Sequence, residues 1–342
     1  MEVCNSDEYF FEGAEKLLEI WFGSMTESGE GESGDLRAIP RSALESVLKL
    51  VKCEIISFQR NDHMDAYVLS ESSLFISRDR LIIKTCGNTA LLRCLDPVIY
   101  LAKEVAGFDE ILDVFYSRKN FLRPDLQSDP HRSFAVETDL LDSYFDEGAA
   151  YCMGRVNSDH WYLYTLAPAV PAARTRSSPD QTLEILMHNL DPEIMKMFTK
   201  AVCQTGRQAT EMSGIDKLIP GALIDDFLFD PCGYSMNGLF RGGYYMTIHI
   251  TPETEFSYVS FETNYPVASY SDLIGRVVRT FLPGSFMVTL LATAGKTASP
   301  VPQLKAKDFQ QGEFGAFKMK ELQISQVNDY LLSFVSFAKF PS

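Results

Sequence analysis

A chain of 342 residues, 46% hydrophobic and 23% charged, lies in the ordinary globular range and can bury a large core. Its formal net charge is −15, from 46 acidic against 31 basic residues, and no cluster of lysine and arginine is long enough to track a phosphate backbone. The charge balance argues against a nucleic-acid partner and suits encounter with cationic small molecules.

The first half of the chain is predicted to mix helices and strands. Acidic residues in the first turns and recurring leucines indicate a helix from Phe11 to Phe22, and a Gly/Ser/Glu loop follows from Gly23 to Asp35. Further helices are predicted after Ser42, over Thr89–Val105 and over Asp109–Phe115. Strands are predicted by alternating apolar residues at Cys53–Gln59, Tyr67–Leu69, Leu74–Ser77, Leu81–Thr85, Ala149–Arg155 and Trp161–Leu166.

The second half repeats this order of elements. Ala167 to Pro179 is rich in Pro, Ala and Ser, and this composition indicates an internal linker. After it we predict a strand from Thr182, a helix over Glu193–Cys203, strands over Gly243–Ile250 and Glu255–Glu262, and a helix over Ser271–Phe281. We therefore expect one domain, residues 1–342, built from two half-units (about 1–166 and 180–342). Alternating strands covered by amphipathic helices favour a layered α+β fold with antiparallel sheets.

The cysteines and histidines argue against disulfide and metal chemistry. Seven cysteines are spread singly, without a C-x-x-C pair or a preceding secretory signal, so reduced thiols and a cytosolic location are expected. No apolar run approaches the about 20 residues that span a bilayer, so no membrane partner is expected. The five histidines show no ligand spacing, and no metal is implied.

One segment stands out chemically. Tyr67-Val68-Leu69-Ser70-Glu71-Ser72-Ser73-Leu74-Phe75 predicts a hairpin whose turn is a Ser/Glu cluster, and Lys84-Thr85-Cys86-Gly87 follows one short strand later. From the residues alone this is only a polar turn. The string resembles the self-cleavage site of the eukaryotic S-adenosylmethionine decarboxylase family, in which the serine of a Glu-Ser bond becomes a pyruvoyl group.

The resemblance extends along nearly the whole chain. Further segments similar to that family, in the same order, are Phe10-Phe11-Glu12-Gly13, Tyr116-Ser117-Arg118-Lys119-Asn120-Phe121, Gly148-Ala149-Ala150-Tyr151-Cys152-Met153-Gly154-Arg155, Asp180-Gln181-Thr182-Leu183-Glu184, Pro231-Cys232-Gly233-Tyr234-Ser235-Met236-Asn237-Gly238 and His249-Ile250-Thr251-Pro252-Glu253. The resemblance implies a four-layer αββα sandwich with two central antiparallel sheets. It also implies cleavage between Glu71 and Ser72 into a β chain, 1–71, and an α chain, 72–342.

Decarboxylation of an α-amino acid needs an electron sink, which unmodified side chains do not supply. The resemblance implies that the sink is a covalent pyruvoyl group made from Ser72, whose keto carbon forms a Schiff base with the substrate amine; pyridoxal phosphate is not indicated. Cys86 matches the family's proton donor, and we expect Lys84 to hold its thiol ready near neutral pH. The residues implied in self-processing are Glu12, Glu15, Ser235 and the base His249.

The position of His249 can also be predicted from the residues alone. Along Tyr245–Thr251, Met246, Ile248 and Ile250 alternate with Tyr245, Thr247 and His249, so the histidine is predicted on the polar face of a strand. A lone histidine there could equally be structural.

For the substrate, the resemblance implies that Phe11 and Phe229 sandwich the adenine, that Glu253 accepts the ribose hydroxyls, and that Leu69 and Glu71 complete the adenine edge. Without the resemblance, Phe11 would be predicted to be an aromatic residue of the hydrophobic core.

A set of acidic and aromatic residues matches the family positions that hold the activator putrescine in animal members. The residues implied in putrescine binding are Glu19, Lys84, Phe115, Asp180, Thr182, Glu184, Glu262 and Tyr330. Buried carboxylates need a counter-ion, so a dicationic ligand suits them; the alternative is a solvated or helix-capping role. Leu291 departs from the phenylalanine expected in close vertebrate members.

Three functions are compatible with these residues. The first is S-adenosylmethionine decarboxylase, a carboxy-lyase that supplies decarboxylated S-adenosylmethionine for spermidine and spermine synthesis, as a homodimer of αβ units. The second is an inactive paralogue that activates a partner decarboxylase, which predicts loss of residues such as Ser72 or Cys86. The third is a pyruvoyl decarboxylase of another amino acid, which would not need Phe11, Phe229 and Glu253.

Overall fold

A computed structural model describes residues 10–24, 34–167, 180–293, 301–310 and 312–340. Within these ranges, two antiparallel sheets of eight strands form the body of the protein. The strands of the first sheet are β1 (Lys16–Gly23), β2 (Ile55–Arg60), β3 (Met64–Leu69), β4 (Ser72–Ser77), β5 (Arg80–Thr85), β6 (Glu110–Lys119), β7 (Gly148–Gly154) and β8 (His160–Leu166). They lie in the order β2-β3-β4-β5-β1-β6-β8-β7.

The second sheet comes from the second half of the chain. Its strands are β9 (Gln181–His188), β10 (Leu223–Leu228), β11 (Tyr234–Leu239), β12 (Tyr245–Thr251), β13 (Tyr258–Thr263), β14 (Ser285–Thr293), β15 (Phe317–Val327) and β16 (Tyr330–Lys339). Their order is β10-β11-β12-β13-β9-β14-β16-β15, which repeats the order of the first sheet with every strand number raised by eight.

Helices cover the outer faces of both sheets. They are α1 (Arg41–Val51), α2 (Leu95–Glu104), α3 (Phe134–Asp142), α4 (Pro192–Met195), α5 (Gly206–Ser213) and α6 (Tyr270–Phe281). Short 3-10 turns lie at Leu36–Ala38, Leu91–Cys94, Pro124–Leu126, Lys196–Phe198, Ile215–Lys217, Thr254–Phe256, Ala306–Phe309 and Gly312–Ala316.

Apolar side chains form cores on both sides of each sheet. Leu44 of α1 packs in one core with Leu74 of β4, and Val277 of α6 packs in another with Ile248 of β12. Between the sheets, Phe75 and Tyr245 contact each other with ring centroids 4.5 Å apart. The order helix, sheet, sheet, helix confirms the predicted four-layer α+β sandwich.

Two predicted helices are wrong. Phe11–Phe22 contains strand β1 instead, and Asp109–Phe115 lies largely in strand β6. The two strands pair with each other in the middle of the sheet, so β1 is buried on both faces: Leu18 and Ile20 enter the outer core and Leu17 the core between the sheets. Two-sided burial produces a continuous apolar run, which periodicity cannot distinguish from a buried helix.

The other predicted elements mostly hold. The helix near Ser42, the strands of the first half and the helix ending at Phe281 are confirmed, whereas the predicted helix Glu193–Cys203 is limited to α4 and one 3-10 turn. It stops because Thr199 is extended and bridges to Cys232. Residues 168–179 of the predicted linker and residues 25–33 of the predicted loop are not among the described residues.

Candidate active site

The hairpin between β3 and β4 lies at the centre of the site. Leu69 pairs with Ser72, which leaves Ser70 and Glu71 as the two-residue turn, as predicted. Ser72 is 1% exposed and has a φ of 120°, a left-handed conformation that a residue with a side chain seldom adopts. Its hydroxyl donates a hydrogen bond of 2.8 Å to Oε1 of Glu15. Ser72 is thus a buried serine in a strained backbone conformation, and its hydroxyl is hydrogen-bonded to a carboxylate.

Glu15 connects Ser72 to the second sheet. Its Oε1 also lies 3.8 Å from Nε2 of His249, and its Oε2 lies 3.7 Å from Nζ of Lys84. Burial alone would raise the pKa of this carboxyl, but the charge of Lys84 and the hydrogen bond from Ser72 help to outweigh burial, and the pKa is lowered. Glu15 is therefore ionised and can accept the proton of the Ser72 hydroxyl.

His249 lies on β12, on the face directed at the first sheet. Met246, Ile248 and Ile250 pack in the opposite core, so the predicted alternation is confirmed. The Nδ1 atom of His249 is 2.8 Å from Oγ of Ser235, its cross-strand neighbour on β11. Burial lowers the pKa of His249 to about 4, with Lys84 adding to the effect and Glu15 opposing it. The imidazole is therefore neutral at physiological pH and can act as a base.

Sequence reasoning missed the serine that contacts this histidine. Nε2 of His249 lies 3.0 Å from Oγ of Ser73, the residue after Ser72, and 2.9 Å from Oγ1 of Thr247. The Ser73 hydroxyl also donates to Oδ1 of Asn237, at 2.6 Å. The available signal was alternation on β4, because Ser73 shares its face with Phe75, which packs between the sheets.

Cys86 follows β5 and lies next to the Glu71–Ser72 bond. Its backbone N–H donates to the carbonyl oxygen of Glu71 at 3.1 Å, which polarises that carbonyl. Burial raises the pKa of the Cys86 thiol, and Glu15 and Glu71 raise it further. The thiol is therefore protonated throughout the neutral range.

The expected partnership of Lys84 with Cys86 is wrong. Lys84 is wholly buried, and its ammonium lies 2.8 Å from Glu262 and 3.4 Å from Glu184, besides the contact with Glu15. These carboxylates raise its pKa against the opposite effect of burial. The cation that acts most strongly on the Cys86 thiol is Lys16 instead.

Glu12 contacts the site with its main-chain carbonyl group. Its carbonyl accepts a 2.8 Å hydrogen bond from the N–H of Gly87, whereas its carboxylate accepts from the N–H groups of Leu122, at 2.7 Å, and Arg123, at 3.2 Å. Among the described residues these amides, and not Ser72, are the hydrogen-bond partners of that carboxylate. The processing role of Glu12 stays a prediction.

The two predicted adenine-binding rings, Phe11 and Phe229, have different neighbours. A Cβ added to Gly87 would lie 2.9 Å from the ring of Phe11, so that ring covers the Cys86–Gly87 turn. Phe229 packs edge-on against Phe227, with ring centroids 4.9 Å apart, and its N–H bonds the Gly233 carbonyl.

Two further substrate residues have cysteine partners. The Cys232 thiol hydrogen-bonds Glu253, and the Cys53 thiol hydrogen-bonds the side chain of Glu71. Leu69 is fully buried. A nucleoside bound between Phe11 and Phe229 stays a prediction.

The predicted diamine residues lie around a small cavity of about 40 Å³ between the sheets. Roughly three water molecules would fill that volume. Tyr330 donates to Asp180 at 3.1 Å and packs edge-on against Phe115, at 5.2 Å between ring centroids. The lining residues used below are Glu19, Phe115, Asp180, Thr182, Glu184, Glu262, Leu291 and Tyr330.

These carboxylates already have internal cations, contrary to expectation. Glu262 and Glu184 share Lys84, and Glu19 pairs with Arg80 at 2.8 Å, a residue that the sequence did not single out. With Glu15 included, four buried carboxyl groups face Lys84 and Arg80 among the described residues, so this region carries excess negative charge. Burial raises the pKa of Glu184, and the negative charges of Glu262 and Glu15 raise it further, although the charge of Lys84 lowers it. A bound dication would relieve the excess negative charge.

Membrane and metal features can be assessed for the residues that the structure covers. Of the helices described, none is long and apolar enough to cross a bilayer. In the same residues, no group of three His, Cys, Asp or Glu side chains is placed to hold a metal ion.

Comparison with known proteins gives consistent results. A family model described as adenosylmethionine decarboxylase matches residues 8–338. The chain is 50% identical over 339 residues to the S-adenosylmethionine decarboxylase proenzyme of Xenopus laevis, covering 99% of this chain and 98% of that one. For the Drosophila melanogaster proenzyme the identity is 48% over 345 residues, covering 98% and 97%. The crystal structure of the Trypanosoma brucei AdoMetDC-delta26 monomer is similar with a TM-score of 0.57 and 26% identity, covering 78% of this chain and 98% of that one.

Proposed function

Because the chain belongs to the adenosylmethionine decarboxylase family, we propose that it is a self-processing proenzyme that cuts itself between Glu71 and Ser72 and then decarboxylates S-adenosylmethionine. The observation that carries the proposal is the environment of one peptide bond. The Ser72 hydroxyl donates a hydrogen bond to the ionised carboxylate of Glu15, and the Glu71 carbonyl accepts one from the N–H of Cys86. Nucleophile, base and carbonyl donor thus meet at the bond to be cut.

The first step is an N-to-O acyl shift. Oγ of Ser72 attacks the carbonyl carbon of Glu71, and Glu15 accepts the hydroxyl proton. Glu15 then passes this proton to the nitrogen of residue 72 as the C–N bond breaks, which leaves an ester and a free amine. The backbone N–H of Cys86 stabilises the oxygen as it gains charge. The left-handed φ of Ser72 supports this assignment, because breaking the peptide bond releases that strain.

The second step needs a base for the α-proton of Ser72. We assign it to His249, which is neutral and is oriented through Nδ1 by Ser235. Removal of the proton expels the Glu71 carboxylate as the C-terminus of the β chain. Water then replaces the nitrogen of residue 72, which leaves as ammonia. The α and β chains would stay associated, because strands on both sides of the cut pair in one sheet.

The position of residue 72 fits a pyruvoyl group. It is 1% exposed and hydrogen-bonded to Glu15, and the hydroxyl of Tyr258, which lies within electrostatic range of Glu15 and Cys86, has no hydrogen-bond partner among the described residues. Buried polar atoms of this kind require a partner, which a ligand with an amine and a carboxylate could supply. A pyruvoyl group there would supply the electron sink that decarboxylation needs.

The remaining residues bind substrate and control protonation. Phe11 and Phe229 would hold the adenine, Glu253 the ribose, and Leu69 and Glu71 the adenine edge. Cys86 would protonate the α-carbon after CO2 leaves, since its raised pKa keeps the thiol protonated until a strongly basic carbon forms. The product would be the aminopropyl donor for spermidine and spermine synthesis, made in the cytosol.

We assign the acidic cavity to an activating diamine, putrescine. Asp180 and Glu19 would bind its ammonium groups, with Phe115, Thr182 and Tyr330 around the chain. The excess negative charge around Lys84 supports this choice, because a dication balances it. We also propose that two αβ units associate as a homodimer.

Intact mass under denaturing conditions tests self-processing. We expect two chains, 1–71 and 72–342, the larger without a free amino terminus and reactive to carbonyl reagents. The variant S72A should stay uncut and inactive in a CO2-release assay. A matched control is S77A, a serine on the same strand whose hydroxyl donates to the Arg80 carbonyl at 3.4 Å, and this variant should be cut normally. An uncut wild-type chain, or cutting in S72A, would refute the proposal.

A further inference from the structure

Lys16 is a buried lysine that the proposed mechanism does not use. It is 0% exposed at the start of β1. Its ammonium donates to the carbonyl of Gly87 at 3.1 Å and to Oε1 of Gln127 at 3.0 Å, and it lies 5.1 Å from the ring centroid of Phe121. Both acceptors are uncharged. Burying an ammonium on neutral acceptors is unfavourable, so its retention requires a balancing interaction.

The charged groups around Lys16 identify that interaction. Burial is the largest effect and lowers the pKa of Lys16 to about 8, with Arg118 acting in the same direction, whereas Cys86, Glu137 and Glu12 raise it, Cys86 most strongly. Glu137 already pairs with Arg118 at 2.8 Å, and the Glu12 carboxylate is held by two backbone amides. When Cys86 gives up its proton, the thiolate that forms is therefore a new negative charge within electrostatic range of Lys16. Its other strong neighbours, Glu15 and Glu71, both oppose that charge.

Lys16 also takes part in holding the Cys86–Gly87 turn. The N–H of Cys86 bonds the Glu71 carbonyl at 3.1 Å, the N–H of Gly87 bonds the Glu12 carbonyl at 2.8 Å, and the Gly87 carbonyl bonds Lys16. Two of these three contacts are made by main-chain groups alone. The hydroxyl of Thr89 also donates to the Cys86 carbonyl at 2.8 Å, so Lys16 is the charged one of two side chains whose replacement can loosen the turn without changing the backbone.

We propose that Lys16 is a positioning residue for protonation, which fixes the Cys86–Gly87 turn and stabilises the Cys86 thiolate. In the step it serves, the S–H bond of Cys86 breaks, the proton goes to the substrate α-carbon, and the electron pair stays on sulfur until water returns a proton. The inference rests on the proposed role of Cys86 as proton donor.

The test uses the uncut S72A chain, so that it does not depend on activity. Methyl methanethiosulfonate modifies thiolates, and mass spectrometry of the Cys86 peptide gives its rate at each pH. Adding K16M should slow modification about tenfold, as expected for a shift of one pKa unit. Adding K16R, which keeps the charge, should restore most of the rate. A control, Q127L, removes one neutral acceptor and should stay near the parent rate. Equal rates in K16M and the parent would overturn the inference.

The pH dependence gives a second measurement that needs no Lys16 variant. Below the pKa of Cys86, modification should rise tenfold per pH unit. Above about pH 8 Lys16 loses its charge, so the rise should become shallower in the S72A chain. An unbroken tenfold rise from pH 7 to 10 would contradict the proposal even if K16M failed to fold.

Activity then separates this inference from the proposed function. In cleaved enzyme, K16M should lower kcat with little change in KM, because the substrate contacts are elsewhere. The wild-type protein could neither cleave itself nor decarboxylate, while K16M still slows Cys86 modification. In that case the proposed function fails, and the effect of Lys16 on Cys86 is supported. If wild type is active and Cys86 reacts equally in both chains, the inference alone fails.

Discussion

Replacing Lys84 by methionine should destabilise the protein strongly. The ammonium is wholly buried and lies within 4 Å of three carboxylates, at 2.8 Å from Glu262, 3.4 Å from Glu184 and 3.7 Å from Glu15. Removing one partner of a buried ion pair leaves charge without compensation, and this costs about 3–5 kcal/mol. A typical domain has only about 5–15 kcal/mol of stability, so the change would be a large fraction of the total.

The loss should depend on pH in a defined direction. Lys84 helps to lower the pKa of Glu15 below its ordinary 4.5, so this stabilisation is complete above that value and disappears as pH falls through the lowered pKa. The pKa of Lys84 is raised from 10.5, so the stabilisation is lost only when pH rises through that raised pKa. Wild type and K84M should therefore differ most between about pH 6 and 10 and converge under acid conditions.

Urea unfolding of S72A and S72A/K84M at pH 8 and pH 3 measures this difference, because an uncut chain unfolds as one molecule. The matched control is K196M, which removes a lysine that is 58% exposed and 2.5 Å from Glu193; it should change stability by less than about 0.5 kcal/mol. A loss below 1 kcal/mol for K84M, or equal losses at both pH values, would refute the view that Lys84 balances the buried carboxylates.

Three further predictions concern processing and binding. H249Q should slow self-cleavage at least about 100-fold, and the wild-type cleavage rate should be level near neutral pH and fall as pH approaches about 4; a rate that climbs in acid would exclude a neutral imidazole base. G13A should destabilise the chain by about 1–3 kcal/mol and impair cleavage, because its Cβ would lie 2.6 Å from Cβ of Tyr258. The control G214A has open space but a φ of +77°, so it should cost about 1–2 kcal/mol while cleavage proceeds. L291F should tighten putrescine binding measured by calorimetry, because an aromatic ring would face the diamine; unchanged affinity would place the diamine elsewhere.

In the first sheet, the sequence predicted the outer strands better than the central pair β1 and β6, whereas in the second sheet it predicted β9, β12 and β13 and missed both edge strands. The strands around the hairpin have clear alternation or short apolar runs between turn residues, and they were identified. β1 and β6 were assigned to helices, because residues on both faces of a central strand are buried and the alternation disappears. Strands β10, β11, β14, β15 and β16 were not identified from periodicity.

The site shows a similar division. The residues placed by resemblance at the cut do meet: Ser72, Glu15, His249 and Ser235 form one chain of contacts. Partners set by the pairing of strands distant in sequence could not be read from one sequence, since they join positions more than 50 residues apart. Arg80 beside Glu19 is such a case, and Lys16 beside Cys86 is another. Each changed the electrostatic interpretation of a residue that had been identified correctly.

The repeated strand order accounts for the position of the site. Because the second sheet repeats the first with strand numbers raised by eight, β4 and β12 are equivalent strands, as are β5 and β13. Ser72 and Ser73 lie on β4 and His249 on β12; Lys84 lies on β5 and its partner Glu262 on β13. We propose that two half-units pack face to face so that equivalent strands oppose each other. Such packing brings each nucleophile or cation of the first half opposite a base or carboxylate of the second.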